Sequence, residues 1–337
     1  MKNTTRALYH AYLKRQQELN GVPDATTKFT VTPSVQQTLE RRIQESSDFL
    51  RSINIIPVDE LKGEKVMMGV SGSLAGRTDT SSADRPVREM HALDDQGYEC
   101  KQTNFDYSIG YNTLDTWAKF PNFQAMLRDM LVSQQAIDRI TCGWHGTSAA
   151  ATTNRTTNPL LQDVNIGWLK HIKTDAAAQV MDEGANANQI RVGTAAGADY
   201  ATVDQLVFDA TQTLLPSWYR NDNRLVAIVG NTLMADKLFP LYGETKPTEI
   251  NAADMLKSQK RLGGYQAVQP VNFPSGTILI TSLDNLSLYY QSGARRRAIM
   301  DNPKRDRIET YESSNEAYVV QDYQRCVLLK NITFTWS

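Results

Sequence analysis

Along the first fifty residues, apolar side chains recur at helical spacing. Leu8, Ala11, Tyr12 and Leu19 stand among Arg6, Lys14, Arg15 and Glu18, which predicts a helix over residues 4–19, stopped by Asn20-Gly21 and Pro23. So thin an apolar face needs a partner. After a polar connection, Ser34 is placed to cap a second helix, on which Val35, Leu39, Ile43 and then Phe49 or Leu50 return every three or four positions.

The period then drops to two. Ile53 to Val58 reads as a strand, followed by a turn around Lys62-Gly63-Glu64, a strand from Val66 to Val70, and a Gly/Ser/Thr-rich stretch from Ser71 to Ala83. The chain returns through Tyr98 to Tyr111. There Phe105, Tyr107, Ile109 and Tyr111 alternate with Asn104, Asp106, Ser108 and Gly110, so all four large side chains fall on one face. An isolated hairpin is marginal in water and leaves its edges open. Either the body of the protein or a neighbouring subunit has to cover that face.

Helical spacing resumes from Phe123 to Trp144, through Met126, Leu127, Met130, Leu131, Ile137 and Ile140. Residues 146–159 are small and polar and read as a surface loop. The second half follows an α/β pattern. Thr202 and Gln205 form a capping box for a helix carrying Val203, Leu206, Val207, Ala210 and Leu214. A buried-type strand follows at Leu225 to Val229, and Asn231 is placed to cap a helix that should stop at Pro240. Further strands are expected at Thr277 to Thr281, Leu286 to Tyr290, Ala317 to Tyr323, Cys326 to Lys330 and Ile332 to Trp336.

Composition narrows the function classes. A chain of 337 residues buries roughly 75% of its unfolded surface, so core size does not limit stability. Its 36 Lys and Arg against 37 Asp and Glu give a net charge of -1, which offers no global attraction to a phosphate backbone. Cys100, Cys142 and Cys326 are odd in number and far apart, which fits free thiols in a reducing compartment, read as a bacterial cytoplasm. No stretch approaches the roughly 20 apolar residues of a membrane span, and Met1 to Leu19 lacks a signal peptide's apolar run. The expectation is a protein with no membrane association, not exported by the usual route.

Candidate chemistry is sparse. Gly69, Gly72 and Gly76 match neither the phosphate-cradling loop nor the dinucleotide fingerprint. Cys142 and His145 are spaced for a thiolate and its base, or for two metal ligands, but with no second pair nearby a packed thiol and a surface imidazole are the simpler reading. His10, His91 and His171 lack carboxylates at a motif spacing, and no Gly-x-Ser-x-Gly elbow occurs. Gly230 resembles the turn where α/β enzymes hold phosphate, without the further glycines that would support it. No catalytic residue, cofactor or metal is expected. The concentrated basic cluster is Arg295, Arg296 and Arg297, with Lys304, Arg305 and Arg307 behind; it reads as a phosphate contact or, interleaved with Asp301, Asp306, Glu309 and Glu312, as a solvated or subunit-bridging charged turn.

Several blocks carry a resemblance. They include Lys28-Phe29-Thr30-Val31-Thr32-Pro33-Ser34, Gln44-Glu45-Ser46-Ser47-Asp48-Phe49-Leu50, Thr113-Leu114-Asp115-Thr116-Trp117-Ala118, Asn158-Pro159-Leu160-Leu161-Gln162-Asp163-Val164 and Asp284-Asn285-Leu286-Ser287-Leu288-Tyr289-Tyr290. In this order they resemble the major capsid proteins of the P-two group of temperate tailed phages. The likeness spans nearly the whole chain and departs between Gly76 and Gln96 and at the end at Ser337.

The resemblance implies an α+β, Hong Kong 97-like capsid fold. It divides the chain into an N-terminal segment (1–29), an N-terminal arm (30–52), an extended β-hairpin loop (53–115), a peripheral domain (116–199) whose spine helix covers about 121–146, an axial domain (200–295), and C-terminal strands (296–337) returning to the peripheral domain. It implies a non-enzymatic head protein that assembles with itself into an icosahedral shell around the phage genome. Implied partners are a scaffold and maturation protease, a portal protein and packaged double-stranded DNA held by non-specific contact; the implied location is the virion, assembled in the host cytoplasm. The expected inter-subunit contacts are Phe105, Tyr107, Ile109, Tyr111, Arg295, Arg296 and Arg297. The segment before Phe29 is expected to be removed on maturation, with the cut near Lys28, Phe29 and Thr30. Rival readings are the shell of a bacterial nanocompartment, an α/β enzyme built on Tyr200 to Tyr290, and a DNA-binding protein using the Arg295 to Arg307 cluster.

Overall fold

The computed structural model describes residues 1–65, 75, 77–82, 84–85, 97–120, 122–242 and 260–335. The expected strand Val66 to Val70, most of Ser71 to Ala83, and His91 lie outside the described residues.

The first helix, α1 (Asn3–Asn20), ends where glycine permits it, with Gly21 at φ +64° and its N–H donated to the Gln17 carbonyl. A two-residue strand, β1 (Phe29–Thr30), leads into α2 (Pro33–Glu45). Thr32 rather than Ser34 occupies the cap position, because proline's fixed φ and missing N–H suit the first helical residue. Phe49 and Leu50 do not continue α2; they sit buried on a separate short helix, α3 (Asp48–Ser52). Next comes β2 (Asn54–Val58), an edge strand, which is where Pro57 is tolerated. Lys62-Gly63, expected as a turn, is strand β3 (Lys62–Gly63), paired antiparallel with β4 (Tyr98–Glu99). Two further strands, β5 (Lys101–Asn104) and β6 (Tyr107–Gly110), precede α4 (Tyr111–Trp117), so the alternation ends one residue earlier than read.

The longest helix is α5 (Phe123–His145), as the spacing requires. Its buried end packs on α6 (Trp168–Asp175): Trp168 is fully buried, its indole nitrogen donates to the Ser287 carbonyl, and its ring occupies the space a side chain at Gly143 would need. The chain continues through β7 (Val180–Met181), β8 (Ile190–Gly193) and α7 (Val203–Leu214), where Thr202 caps as expected by accepting from the Gln205 amide at 3.3 Å. Strand β9 (Leu225–Val229) is followed by α8 (Asn231–Tyr242), which runs past Pro240 by one short turn. The Asn231 side-chain oxygen accepts from Gln269. The remaining strands are β10 (Arg261–Leu262), β11 (Tyr265–Val268), β12 (Ile278–Ser282), β13 (Leu286–Gln291), β14 (Arg296–Asn302), β15 (Arg307–Val320), β16 (Val327–Leu329) and β17 (Ile332–Thr335).

Two sheets organise these elements. In the six-stranded sheet, ordered β10-β11-β9-β12-β16-β7, alternate residues serve two cores. Ala227, Val229, Ile278, Ile280, Val327 and Leu329 face α7 and α8. Ile228, Leu279 and Leu328 face Trp144, Trp168 and Phe273. Both faces are covered, which is why these strands read as continuous apolar runs. The seven-stranded sheet follows the path β1-β14-β15-β13-β2, with β5 and β6 also paired to β15.

The hairpin β14–β15 overturns the reading of Arg295 to Arg307 as a charged turn. The turn itself is only Pro303–Arg305, closed by Asp306 at φ +48°. Arg296 to Asn302 pair residue by residue with Ser313 to Arg307. The period-two signal is present, but its inward positions carry charge instead of hydrocarbon.

Candidate functional site

The projecting segment lies on its own sheet. Tyr107 stands opposite Thr310 and Ile109 opposite Ile308 across the β6–β15 ladder. Tyr111 opens α4, donates its hydroxyl to Asp301, and packs with Tyr9, Leu13, Ile299 and Ile308. Tyr12 of α1 lies near Tyr107, and burial pushes both phenols up. Phe105 donates its amide to the Glu312 carbonyl at 2.7 Å and lines a recess with Asp138, Arg139, Leu161 and Tyr318. Part of the cover is thus intramolecular: Tyr9 and Leu13 of α1 pack against the Tyr111 end of this face. Phe105, Tyr107 and Ile109 remain half-buried, so the fold covers part of this face and leaves part of it open.

The segment from Met1 to Thr30 is fastened along its length. The Lys2 amide donates to the Asp115 carboxylate at 2.9 Å, and the Ile299 amide to the Ala25 carbonyl at 3.0 Å. Phe29 and Thr30 pair with Arg297 and Arg296 at the end of the sheet, and among the described residues no strand pairs with the other side of β1. Phe29 is buried, whereas Lys28 and Thr30 are exposed.

The three arginines part company by the pleat. Arg296 faces solvent, while Arg295 is 0% exposed and Arg297 turns inward beside it. Arg295 donates to Glu40 of α2 at 2.6 Å, to Glu312 of β15 at 2.6 Å and to Gln135 of α5 at 3.0 Å. Arg139 of α5 forks between Glu40 at 2.6 Å and Glu316 at 2.6 Å. Arg297 completes the chain with Glu312 at 2.8 Å. Three guanidinium groups meet three carboxylates, so the buried network is neutral. Arg295, wholly enclosed, is therefore available neither to a phosphate nor to a neighbouring subunit, which corrects its place among the expected contacts, and Arg297 is committed to Glu312.

Electrostatics follow the geometry. Burial pushes the Glu40 carboxyl up, but Arg139 and Arg295 together hold it below the usual carboxylate range. Burial likewise opposes Glu312, which Arg295 and Arg297 bring down to about 2. Gln36 adds neutral ties, donating to the Gln291 carbonyl and accepting from the Gly293 amide. The arrangement locks α2, α5 and the β14–β15 hairpin into one register.

Sequence reasoning missed Glu40, Gln135, Arg139 and Glu316. A signal was there: Arg139 falls on the stripe Val132, Gln135, Ala136, Ile140, Gly143, and Glu40 on the stripe Gln36, Ile43, so charges interrupt otherwise buried faces.

Elsewhere the candidate chemistry is packed away. Burial pushes the thiols of Cys100 and Cys142 up to about 12, far from a reactive thiolate. The ring of His145 bonds the Asn272 carbonyl at 2.7 Å instead of Cys142. A side chain at Gly230 would press on the Pro274 carbonyl, so that turn is a close backbone approach. Among the described residues no group of three or more His, Cys, Asp or Glu is placed to hold a metal.

Comparison with known proteins agrees with this architecture. Residues 8–332 match the family model described as phage major capsid protein, P2 family. The capsid protein of Escherichia phage P2 is 47% identical over 98% of this chain and 95% of its own length, and the major capsid protein of Serratia phage KSP20 is 37% identical over 99% and 98%. A chain in the satellite phage P4 procapsid that includes the size determination (Sid) protein superposes with a TM-score of 0.84 at 44% identity, covering 99% of both chains. The α+β fold is thus of the Hong Kong 97-like capsid type. The chain belongs to the P2 family of phage major capsid proteins and is a structural subunit of a tailed phage's icosahedral shell.

Proposed function

We propose that copies of this chain join through heterologous contacts into rings, and the rings into a closed shell around double-stranded DNA. Beside family membership, the reading is carried by an apolar surface the fold leaves open. Phe120, Met126 and Met130 are 60%, 67% and 57% exposed, with Met126 and Met130 one turn apart on the outer half of α5. The ring of Trp117, itself exposed, lies 5.1 Å from that of Phe123 on the same side of the chain. Exposed apolar groups clustered along one helix mark an interaction site, and methionine adapts to a partner's contour. Obligate interfaces bury roughly 2,000 Å² or more, so this stripe supplies one part of a larger contact. Substituting Met126→Glu with Met130→Glu should leave the far-ultraviolet dichroism and melting of the subunit intact while electron microscopy finds no shells. Normal-sized shells from the double variant would overturn the reading.

The domain map implied by the family supports a division of labour. Residues 30–52 serve as the arm, 53–115 as the loop that reaches a neighbour, 116–199 with α5 as the peripheral domain, 200–295 as the axial domain and 296–337 as returning strands. Of the three arginines, Arg296 is the one assigned to an inter-subunit contact. Scaffold, portal protein, and DNA held without sequence preference are the remaining partners, with assembly in the host cytoplasm. Among the described residues no helix is long and apolar enough to cross a membrane.

The N-terminal segment is assigned a removable role, cut near Lys28, Phe29 and Thr30 by a maturation protease. The open side of β1 would admit a protease by strand addition. Loss of α1 would uncover the Tyr111 end of the apolar face that begins at Phe105, leaving it to seek a new cover, which is a switch of the order-to-release kind. Mass spectrometry of mature particles should find chains beginning near Thr30; an intact Met1 to Phe29 in every chain refutes the assignment.

A further inference from the structure

The sequence's conspicuous basic cluster is spent on internal carboxylates, which leaves open where this near-neutral chain meets its cargo. A different set of cations has the right disposition. Lys170 and Lys173 stand three apart on α6, on one face of the helix, and Lys330 follows directly on β16, which packs beside α6. Lys330 is half-buried, and its backbone amide is fixed to the Met181 carbonyl. Its ammonium lies within hydrogen-bonding reach of the Lys173 ammonium, with Lys170 close by.

Like charges pressed together at a surface are costly unless an anion spans them. The acidic groups nearby do not fill that role. Asp182 is near Lys330 but forms no ion pair with it, and the Asp175 carboxylate is occupied by the Tyr323 hydroxyl at 2.9 Å and His171 at 3.2 Å. Lys65 adds a further cation on the same side, its ammonium 4.1 Å from the centre of the Tyr323 ring. Among the described residues Lys170, Lys173 and Lys330 have no carboxylate at ion-pair distance. By contrast Arg296, Lys304 and Arg305 lie on a hairpin whose tip also carries Asp301, Asp306 and Glu309.

We propose that Lys170, Lys173 and Lys330 form a contact for the phosphodiester backbone of double-stranded DNA on this subunit. A half-buried lysine at the end of β16 beside two lysines on one face of α6 gathers three point charges, suited to phosphates and blind to base sequence. The inference rests on the reading that the shell encloses DNA, and it adds which residues meet it.

The test uses the full-length chain and a short fluorescent DNA duplex, with binding followed by anisotropy as salt is raised. Each phosphate contact contributes about -0.9 to the slope of log affinity against log salt, so a roughly fourfold rise in salt weakens binding by about 3.5-fold per contact. Lys173→Gln with Lys330→Gln should therefore flatten the slope by about 1.8, while Lys304→Gln with Arg305→Gln leaves it unchanged. Both variants should melt like the parent. An unchanged slope in the lysine variant, or no binding by the parent chain at low salt, would overturn the proposal. Tighter binding of poly-glutamate than of DNA through the same lysines would assign the patch to an acidic protein and overturn it too. Electron microscopy of each chain expressed with its phage's scaffold separates this from the assembly reading: shells from the lysine variant leave that reading standing whatever the slope, and absence of shells from the parent chain sinks it independently.

Discussion

Replacing Glu40 by glutamine is the sharpest perturbation the fold offers. The carboxylate is 3% exposed and is shared by Arg139 and Arg295, each at 2.6 Å. Glutamine keeps the volume and removes the charge, leaving three buried cations with two carboxylates, Glu312 and Glu316. At an effective dielectric near 20, each lost pair is worth about 4 kcal/mol of attraction. The desolvation that Glu40 no longer suffers gives back several kcal/mol. The difference falls in the range of about 3–5 kcal/mol seen when one partner of a buried pair is removed. Urea unfolding of the subunit, followed by dichroism, measures this as a lower midpoint at unchanged slope. Hydrogen exchange should show α2 opening first, because Glu40 is the one carboxylate through which that helix joins the network. A loss below about 1 kcal/mol, the scale of an exposed ion pair, would show that the network is hydrated and refute the reasoning.

Acid should act through the same groups: Glu312 is depressed from its ordinary 4.5 to about 2, so its contribution is complete above the ordinary value and is lost as pH falls toward 2. Thermal melts between neutral and strongly acidic pH should decline over that window, and a flat profile refutes the coupling. Gly143→Ala drives a methyl into the Trp168 ring and should cost about 1–3 kcal/mol with a shift in tryptophan emission, whereas an unchanged melt would show the helix pair to be loosely packed.

The chemistry-bearing residues teach where sequence reading stops. A sequence states that Arg295, Arg296 and Arg297 are adjacent; only the pleat of β14, held by β15, sends Arg296 to water and its neighbours inside. Lys330 and Lys173 are far apart in the chain and meet because β16 packs under α6. Neither relation has a local signature, since charge patterns carry no record of which distant group will neutralise them.

The chain by itself determined its helices wherever an apolar stripe and a stop signal coincide, as in α1, α5 and α7, and its central strands wherever both faces are buried, as in β9 and β12. Those choices depend on neighbours a few residues away. Tertiary structure decided what lies against what: that α1 packs against Tyr111, that Gly143 yields its space to Trp168, and that Glu40 neutralises Arg139 and Arg295. Burial of a charge or an aromatic face is a property of the pair, and the second member is chosen by the fold.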